Sequence, residues 1–494
     1  MPRHAGRAPD RRADRLLGQR SHIESRDPRT ECEDLKEAAA HPLQGVSLAA
    51  LSRLLANREI SSRELVEQAI AAIRDPAGEG RRAFLAVHEH EALAAADRCD
   101  ALGRSGSQLP VLCGLPISIK DLFDEAGSTT LAGSTVLADL PPAARDCTVV
   151  RRLRDAGAII VGRTNMTEFA YSGLGLNPHY GTPKNAFDRP AGRIPGGSSS
   201  GAAISVTDCM AAAAIGTDTG GSVRIPSALN GLVGFKPTAR RVPLDGVLPL
   251  SFSLDSAGPI ANTVADCALL DKVMSGDAAG IPAPVDLRDL RFAVPTAVFQ
   301  ADLSTEVARA FSRAIARLSI AGATIIELPM REFEQAVEVN PRGALAGAEA
   351  WWLHRQWLEK GAGKYDPRVL MRIRRGENVS AAQYIDMLRR RERFIGTITA
   401  AAGDFDAMLM PTTPDIAPTI AEVGQSDEAY LHFNARMLRN TSIVNSFDGC
   451  ALSVPCHEPG EPPVGLMIAG TQNADRRILA TGISIEQAIR PKGT

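Results

Sequence analysis

Two glycine-serine clusters restrict this chain more than any other feature. The first is Gly196-Gly197-Ser198-Ser199-Ser200-Gly201; the second, Asp218-Thr219-Gly220-Gly221-Ser222-Val223-Arg224, places Ser222 24 positions after Ser198. The residues between them are small and helix-like, enough chain to climb a helix and return to the same place. Glycine reaches backbone conformations closed to other residues, so each cluster can turn sharply and aim consecutive N–H groups at one point. Upstream, Lys120 ends the short apolar run 116–120. Two loops meeting over one lysine would supply a nucleophile, a proton relay, a base and backbone donors, the parts that acyl transfer requires.

Around these clusters the chain alternates helices with apolar strands, and folded structure is expected from about Val46. Ser47 can cap a first helix bearing Leu51, Leu54 and Leu55 on one face. Ser61-Ser62-Arg63-Glu64 reads as a capping box with Leu65, Ala69 and Ile73 behind it. Residues 148–156 predict a helix ended by Gly157, and 158–161 a buried strand. Further on, 304–318 predicts a helix, 323–328 a strand, and 331–402 a mostly helical stretch with a cap at Ser380-Ala381-Ala382-Gln383. The runs 407–410, 451–455 and 464–468 predict more core strands. With no internal repeat and no clear linker, these elements imply one α/β layered core.

Charge narrows the partners. The 494 residues hold 55 basic and 57 acidic side chains, so no global field would steer the chain to nucleic acid or a membrane surface. The most apolar run, 202–216, is short for a bilayer span and is interrupted by Asp208. Eight cysteines without a CxxC pair imply free thiols in a reducing cytoplasm. Residues 1–45 differ from the rest: eight arginines, eight acids, few large apolar side chains and no period. Acids as numerous as arginines argue against a transit peptide, so the expectation is a disordered extension, or a start placed too far upstream.

Each part of the candidate site also has an ordinary reading. A lysine at a strand end is commonly a solvated group, and a Gly-Gly-Ser run is commonly a turn. Gly197-Ser198-Ser199-Ser200-Gly201 also matches the G-x-S-x-G elbow of α/β-hydrolases, which would make Ser199 the nucleophile. That elbow directly follows a strand, whereas residues 188–195 contain Pro190, Gly192 and Pro195 and cannot form a core strand. No HExxH or Cys/His ligand set appears, so no metal and no cofactor is expected. A relay through His354, His432 or His457 stays open. A lysine base must be neutral, so burial would have to lower the Lys120 pKa, ordinarily about 10.4, by roughly two or three units.

Longer motifs stand around these residues in a fixed order. They are Gly114-Leu115-Pro116-Ile117-Ser118-Ile119-Lys120-Asp121, Gly162-Arg163-Thr164-Asn165-Met166-Thr167-Glu168-Phe169-Ala170-Tyr171 and Pro195-Gly196-Gly197-Ser198-Ser199-Ser200-Gly201. Gly216-Thr217-Asp218-Thr219-Gly220-Gly221-Ser222-Val223-Arg224-Ile225-Pro226 and Gly234-Phe235-Lys236-Pro237-Thr238 follow. On these motifs the chain, from about residue 46 to 489, resembles the amidase signature family.

The resemblance implies one large α/β domain over residues 46–494, a mixed central β-sheet surrounded by helices. It implies an amidase that hydrolyses a small-molecule carboxylic amide through an acyl-enzyme, with Ser222 as nucleophile, Ser198 as bridging serine and Lys120 as base. A cis peptide would join Ser198 to the residue after it. Backbone N–H groups of Thr219, Gly220, Gly221 and Ser222 would form an oxyanion hole, while Ser199, Asp218 and Arg224 would brace the site. A cytoplasmic enzyme is expected, and a homodimer is one assembly open to it. The family also contains the glutamine-hydrolysing subunits of tRNA-dependent amidotransferases, and a non-catalytic binding subunit is the remaining alternative. The divergent stretch 331–402 favours a stand-alone enzyme, and intact Lys120, Ser198 and Ser222 argue against a silent one. Three departures stand out: Asn230 where cysteine is frequent, Ile204 where a smaller residue is usual, and Arg240 in place of a common glycine. Trp351, Trp352 and Trp357 in the variable stretch would form either an aromatic pocket wall or part of the core.

Overall fold

The strand expected over 116–120 forms as predicted and organises the rest. All five of its residues are buried, with a parallel neighbour on either side. A strand covered in this way reads as a continuous apolar run rather than an alternation. Numbered along the chain, the strands are β1 (Phe84–Val87), β2 (Pro116–Lys120), β3 (Ile159–Thr164), β4 (Ala213–Asp218), β5 (Val233–Lys236) and β6 (Ser256–Ala261). They continue with β7 (Arg291–Pro295), β8 (Thr324–Leu328), β9 (Ala407–Pro411), β10 (Cys450–Pro455) and β11 (Gly465–Gly470). Among the described residues they make one 11-stranded sheet in the order β1-β3-β2-β4-β6-β5-β10-β11-β9-β7-β8. Its centre is antiparallel, while β3-β2-β4 and β9-β7-β8 run parallel, so the sheet is mixed and helices surround it.

The computed structural model describes residues 41–490, the side chain of residue 360 excepted. The extension expected before residue 46 therefore lies, over residues 1–40, outside the described residues. Leu43 is buried at 1% exposure in the main apolar core, three positions earlier than the expected start of the fold. Among the described residues, 43–490 form one compact unit.

Several local expectations hold. Ser47, Ser61 and Ser380 each cap a helix, the last two as full capping boxes with Glu64 and Gln383, and the helix expected from 304 runs Thr305–Ile320 with Ser304 as its cap. The stretch between the two clusters departs from its helix-like reading. Its helix is only Ser200–Thr207, and the chain returns as strand β4. Alanine favours helix, but β4 lies between β2 and β6, and its ladder bonds on both sides override that preference. Strands β1, β5, β6 and β7 carry too little pattern to be read in advance; β6 even holds Gly258 and Pro259.

Of the described cysteines, Cys113, Cys147, Cys209, Cys267, Cys450 and Cys456 are buried, Cys99 is half-buried, and none is bridged. Burial pushes the thiols of Cys147 and Cys209 up to about 11 and those of Cys113 and Cys456 to about 12. No helix among the described residues is long and apolar enough to cross a membrane.

Candidate active site

Strand β2 delivers Lys120 into the interior at its carboxyl end, with the ammonium side chain fully buried. Lys120 Nζ lies 2.7 Å from Ser198 Oγ and 2.8 Å from Thr217 Oγ1. Burial lowers its pKa to about 7, against the opposing pull of Asp218 and Asp255. The shift runs in the direction that a lysine base requires. Thr217 carries no signal of its own in the sequence, because nothing there marks β4 as a strand whose end lies beside Lys120.

The two glycine-serine clusters do meet. The Ser199 N–H donates to the Ser222 carbonyl at 3.4 Å, tying the first loop to the second. The cis bond in this region joins Gly197 to Ser198, one position earlier than the resemblance implies. Close packing falls there on Gly197, where a Cβ would overlap the amide nitrogen of Gly175. Ser199 opens the helix Ser200–Thr207 and turns its hydroxyl to the Thr217 carbonyl at 3.4 Å, buried away from any cavity. That placement removes the elbow reading. Ser222 faces a cavity. Among the described residues, no hydrogen bond joins the Ser198 and Ser222 hydroxyls, whereas the Lys120–Ser198 contact is made.

Asp218 ends β4 at 0% exposure and holds the second loop in shape. It accepts hydrogen bonds from Arg224 Nε and Nη2, from Asn445 Nδ2, and from the N–H groups of Gly221 and Val223. Burial alone would raise its pKa, but the Arg224 guanidinium holds it well below the usual carboxylate range. This geometry corrects the expected donor set: the Gly221 N–H is committed to Asp218 Oδ1 at 2.8 Å. The N–H groups of Thr219, Gly220 and Ser222 donate to none of the described residues. Gly221 itself has φ +133°, and a Cβ there would overlap the Thr441 side chain.

Asn445 and Thr441 come from the helix Asp427–Ser446, to which the sequence assigns no site role. Thr441 Oγ1 donates to the Gly220 carbonyl at 2.6 Å, and Asn445 bridges Arg224 and Asp218. No local pattern marks a structural asparagine more than 200 residues from its partners. Of the departures, Asn230 clamps the first loop by donating to the carbonyls of Pro195 and Pro226, both at 2.7 Å. Ile204 is fully buried in the core. Arg240 keeps a left-handed φ of +68° and lines a cavity, as a residue replacing glycine in a loop near the site would.

Two cavities flank the loops. One, of about 910 Å³, is walled by Ser222, Gly220 and Thr219 and extends to the helical segment after residue 331. The other, of about 400 Å³, is mostly apolar with Arg240 and Asp255 in its lining, reaches Thr217 and shares Ala170, Thr219 and Leu250 with the first. The larger contains the nucleophile candidate, so it is the one that matters for chemistry, although the smaller is better enclosed. No histidine lines either cavity. His354 is buried among Phe169, Trp357 and Tyr365, where burial drops its pKa to about 3, and His432 and His457 lie elsewhere. Trp351 and Trp357 pack into the core and Trp352 is half-exposed against Phe252, so none forms a pocket wall.

A mixed sheet, a buried lysine on a serine and a glycine loop at a cavity wall are thus brought together by the motifs. A family model for amidase matches residues 64–479. The chain is 39% identical over 407 residues to a 2-amino-5-chloromuconic acid deaminase of Comamonas testosteroni, covering 81% of this chain and 86% of that one. It is 34% identical to a mandelamide hydrolase of Pseudomonas putida, covering 92% and 94%. The same identity relates it to one component of a glutamyl-tRNA(Gln) amidotransferase of Acidothermus cellulolyticus, covering 90% and 94%. A crystal structure of an amidase superposes with a TM-score of 0.81 at 32% identity, over 90% of this chain and all of the other. The chain belongs to the amidase signature family and is an enzyme acting on carbon–nitrogen amide bonds.

Proposed function

We propose that this chain hydrolyses a small carboxylic amide to the acid and ammonia through an acyl-enzyme on Ser222. The observation that carries the reading is Lys120: fully buried, lowered to about 7, and 2.7 Å from Ser198 Oγ. In the proposed sequence Ser222 Oγ attacks the carbonyl carbon and passes its proton to Ser198, whose own proton moves to Lys120. The oxyanion is received by the N–H groups of Thr219, Gly220 and Ser222, with Gly221 left to hold Asp218 in place. Collapse of the adduct returns the proton to the departing amine. Water then enters by the same relay in reverse and releases the acid. The hydroxyl contact from Ser198 to Ser222 forms when substrate fills the cavity, since contacts at such sites commonly tighten only in the substrate complex.

A serine-directed fluorophosphonate tests the assignment. Peptide mapping should place the adduct on Ser222; an adduct on Ser199 would overturn the nucleophile. Ser222→Ala should lose turnover while keeping the melting temperature, because only a hydroxyl at a cavity wall is removed. The similarity to an amidotransferase component supports one other reading, a glutamine-hydrolysing subunit. The purified chain alone, without tRNA or partner, should release ammonia from at least one simple amide. Hydrolysis of glutamine only, and only with a partner added, would favour the amidotransferase reading.

A further inference from the structure

The larger cavity, which Ser222 lines, is also lined by arginine. Arg342, Arg372, Arg375 and Arg439 all line it, while Glu334 is its one carboxylate. Glu334 already faces Arg331 at 3.3 Å. Arg439 is occupied, donating to Asn440 Oδ1 and to the carbonyls of Ala301 and Phe299. The other three differ. None has a carboxylate within ion-pair distance among the described residues. Arg372 sits over the Tyr171 ring, its guanidinium carbon 4.6 Å from the centroid, with its Nε buried and unpartnered. Arg375 makes a single 3.4 Å contact, to the Arg342 carbonyl. Burial, then the neighbouring Arg372 and Arg342 charges, pull the Arg375 guanidinium below its ordinary value. Asn434 adds a neutral donor. Its Oδ1 accepts from the Ser172 hydroxyl and the Gly173 N–H, so Nδ2 is left toward the cavity.

Arg372 is half-buried while Arg342 and Arg375 are exposed, and a half-buried cation without a carboxylate partner is favoured when an anion joins it. A planar guanidinium held over an aromatic ring at a cavity wall suits a carboxylate in two-point contact. We propose that the amide hydrolysed here carries a free carboxylate, bound by Arg372 and Arg375 in the cavity that Ser222 lines. This inference rests on the amidase reading and specifies its substrate class: an acid amide rather than a neutral aliphatic or aromatic one.

The test compares succinamic acid with its neutral relatives, succinamide and methyl succinamate, which share the reacting amide. The unmodified enzyme should favour the acid in kcat/KM by about 10- to 100-fold, the range for a charge-assisted contact. In Arg372→Gln and Arg375→Gln that ratio should fall by about tenfold or more, chiefly through KM. Arg372→Lys, which keeps the charge but not the two-point geometry, should recover part of it. Equal or faster hydrolysis of the neutral amides by the unmodified enzyme would overturn the proposal, as would variants that slow both substrates alike. Should no amide of either charge release ammonia, the amidase reading fails, and succinate titrated calorimetrically still decides the carboxylate site. Binding that weakens about tenfold or more in the Arg372→Gln/Arg375→Gln double variant sustains it. No millimolar binding to the unmodified protein overturns it.

Discussion

Lys120 concentrates the chemistry into one side chain whose protonation can be followed. With its pKa lowered to about 7, it is charged and unable to accept a proton below that pH, and neutral above it. The rate should therefore fall as pH drops through about 7 and level off above, a single acidic limb in a kcat/KM profile. Lys120→Ala should lose about two to four orders of magnitude and the limb with it. Lys120→Arg should not rescue it, because guanidinium stays charged. Alanine at His354, His432 or His457 should leave the limb in place. The same burial has a cost in stability. The folded pKa lies below the unfolded one, so the penalty is full below pH 7 and fades toward pH 10.5. Lys120→Met should thus raise the melting temperature more at pH 6 than at pH 9; equal gains at both would contradict a depressed lysine. Lys120, Ser198 and Ser222 are legible because short motifs fix them. Thr217 is not, since its relevance depends on β4 lying beside β2. Gly221 misleads because glycine runs do not say which N–H groups are already taken.

At the scale of elements, the site is a convergence of one strand end, two loops and the helix Asp427–Ser446. The first three lie within about a hundred residues and are largely readable; the fourth is not, because its contribution is tertiary. Asn445 illustrates why. It donates to Asp218 Oδ1 at 2.9 Å and accepts from Arg224 Nη2 at 2.7 Å inside a buried network. Asn445→Ala leaves both partners short of a bond, and about 1–3 kcal/mol of stability should be lost. Urea unfolding would measure it, and the activity lost at temperatures well below the midpoint would report the loosened loop. A change below about 0.5 kcal/mol would mean that Arg224 holds Asp218 unaided. Capping serines tell where helices start more reliably than composition tells where strands lie. Caps are local hydrogen bonds, whereas β6 with Gly258 and Pro259 is a strand only because β4 and β5 flank it.

Across the whole molecule, the mixed sheet and its helices follow from the motifs, while the fold starts slightly earlier than composition implies. Leu43 at 1% exposure belongs to the core, and burying such a side chain is worth about 1.5–3 kcal/mol. A chain beginning at His41 should keep both activity and melting temperature, in line with the charge-mixed composition of what precedes it. One beginning at Gly45 should melt several degrees lower. Identical melting of the two would place Leu43 outside the cooperative unit. The buried cysteines give the fold its own clock. Six buried thiols, all pushed up by burial, offer almost no thiolate to a maleimide at neutral pH. Each becomes an ordinary reactive thiol once the fold around it opens. The rate at which this set is alkylated therefore reads the opening of the native fold directly, with no substrate known.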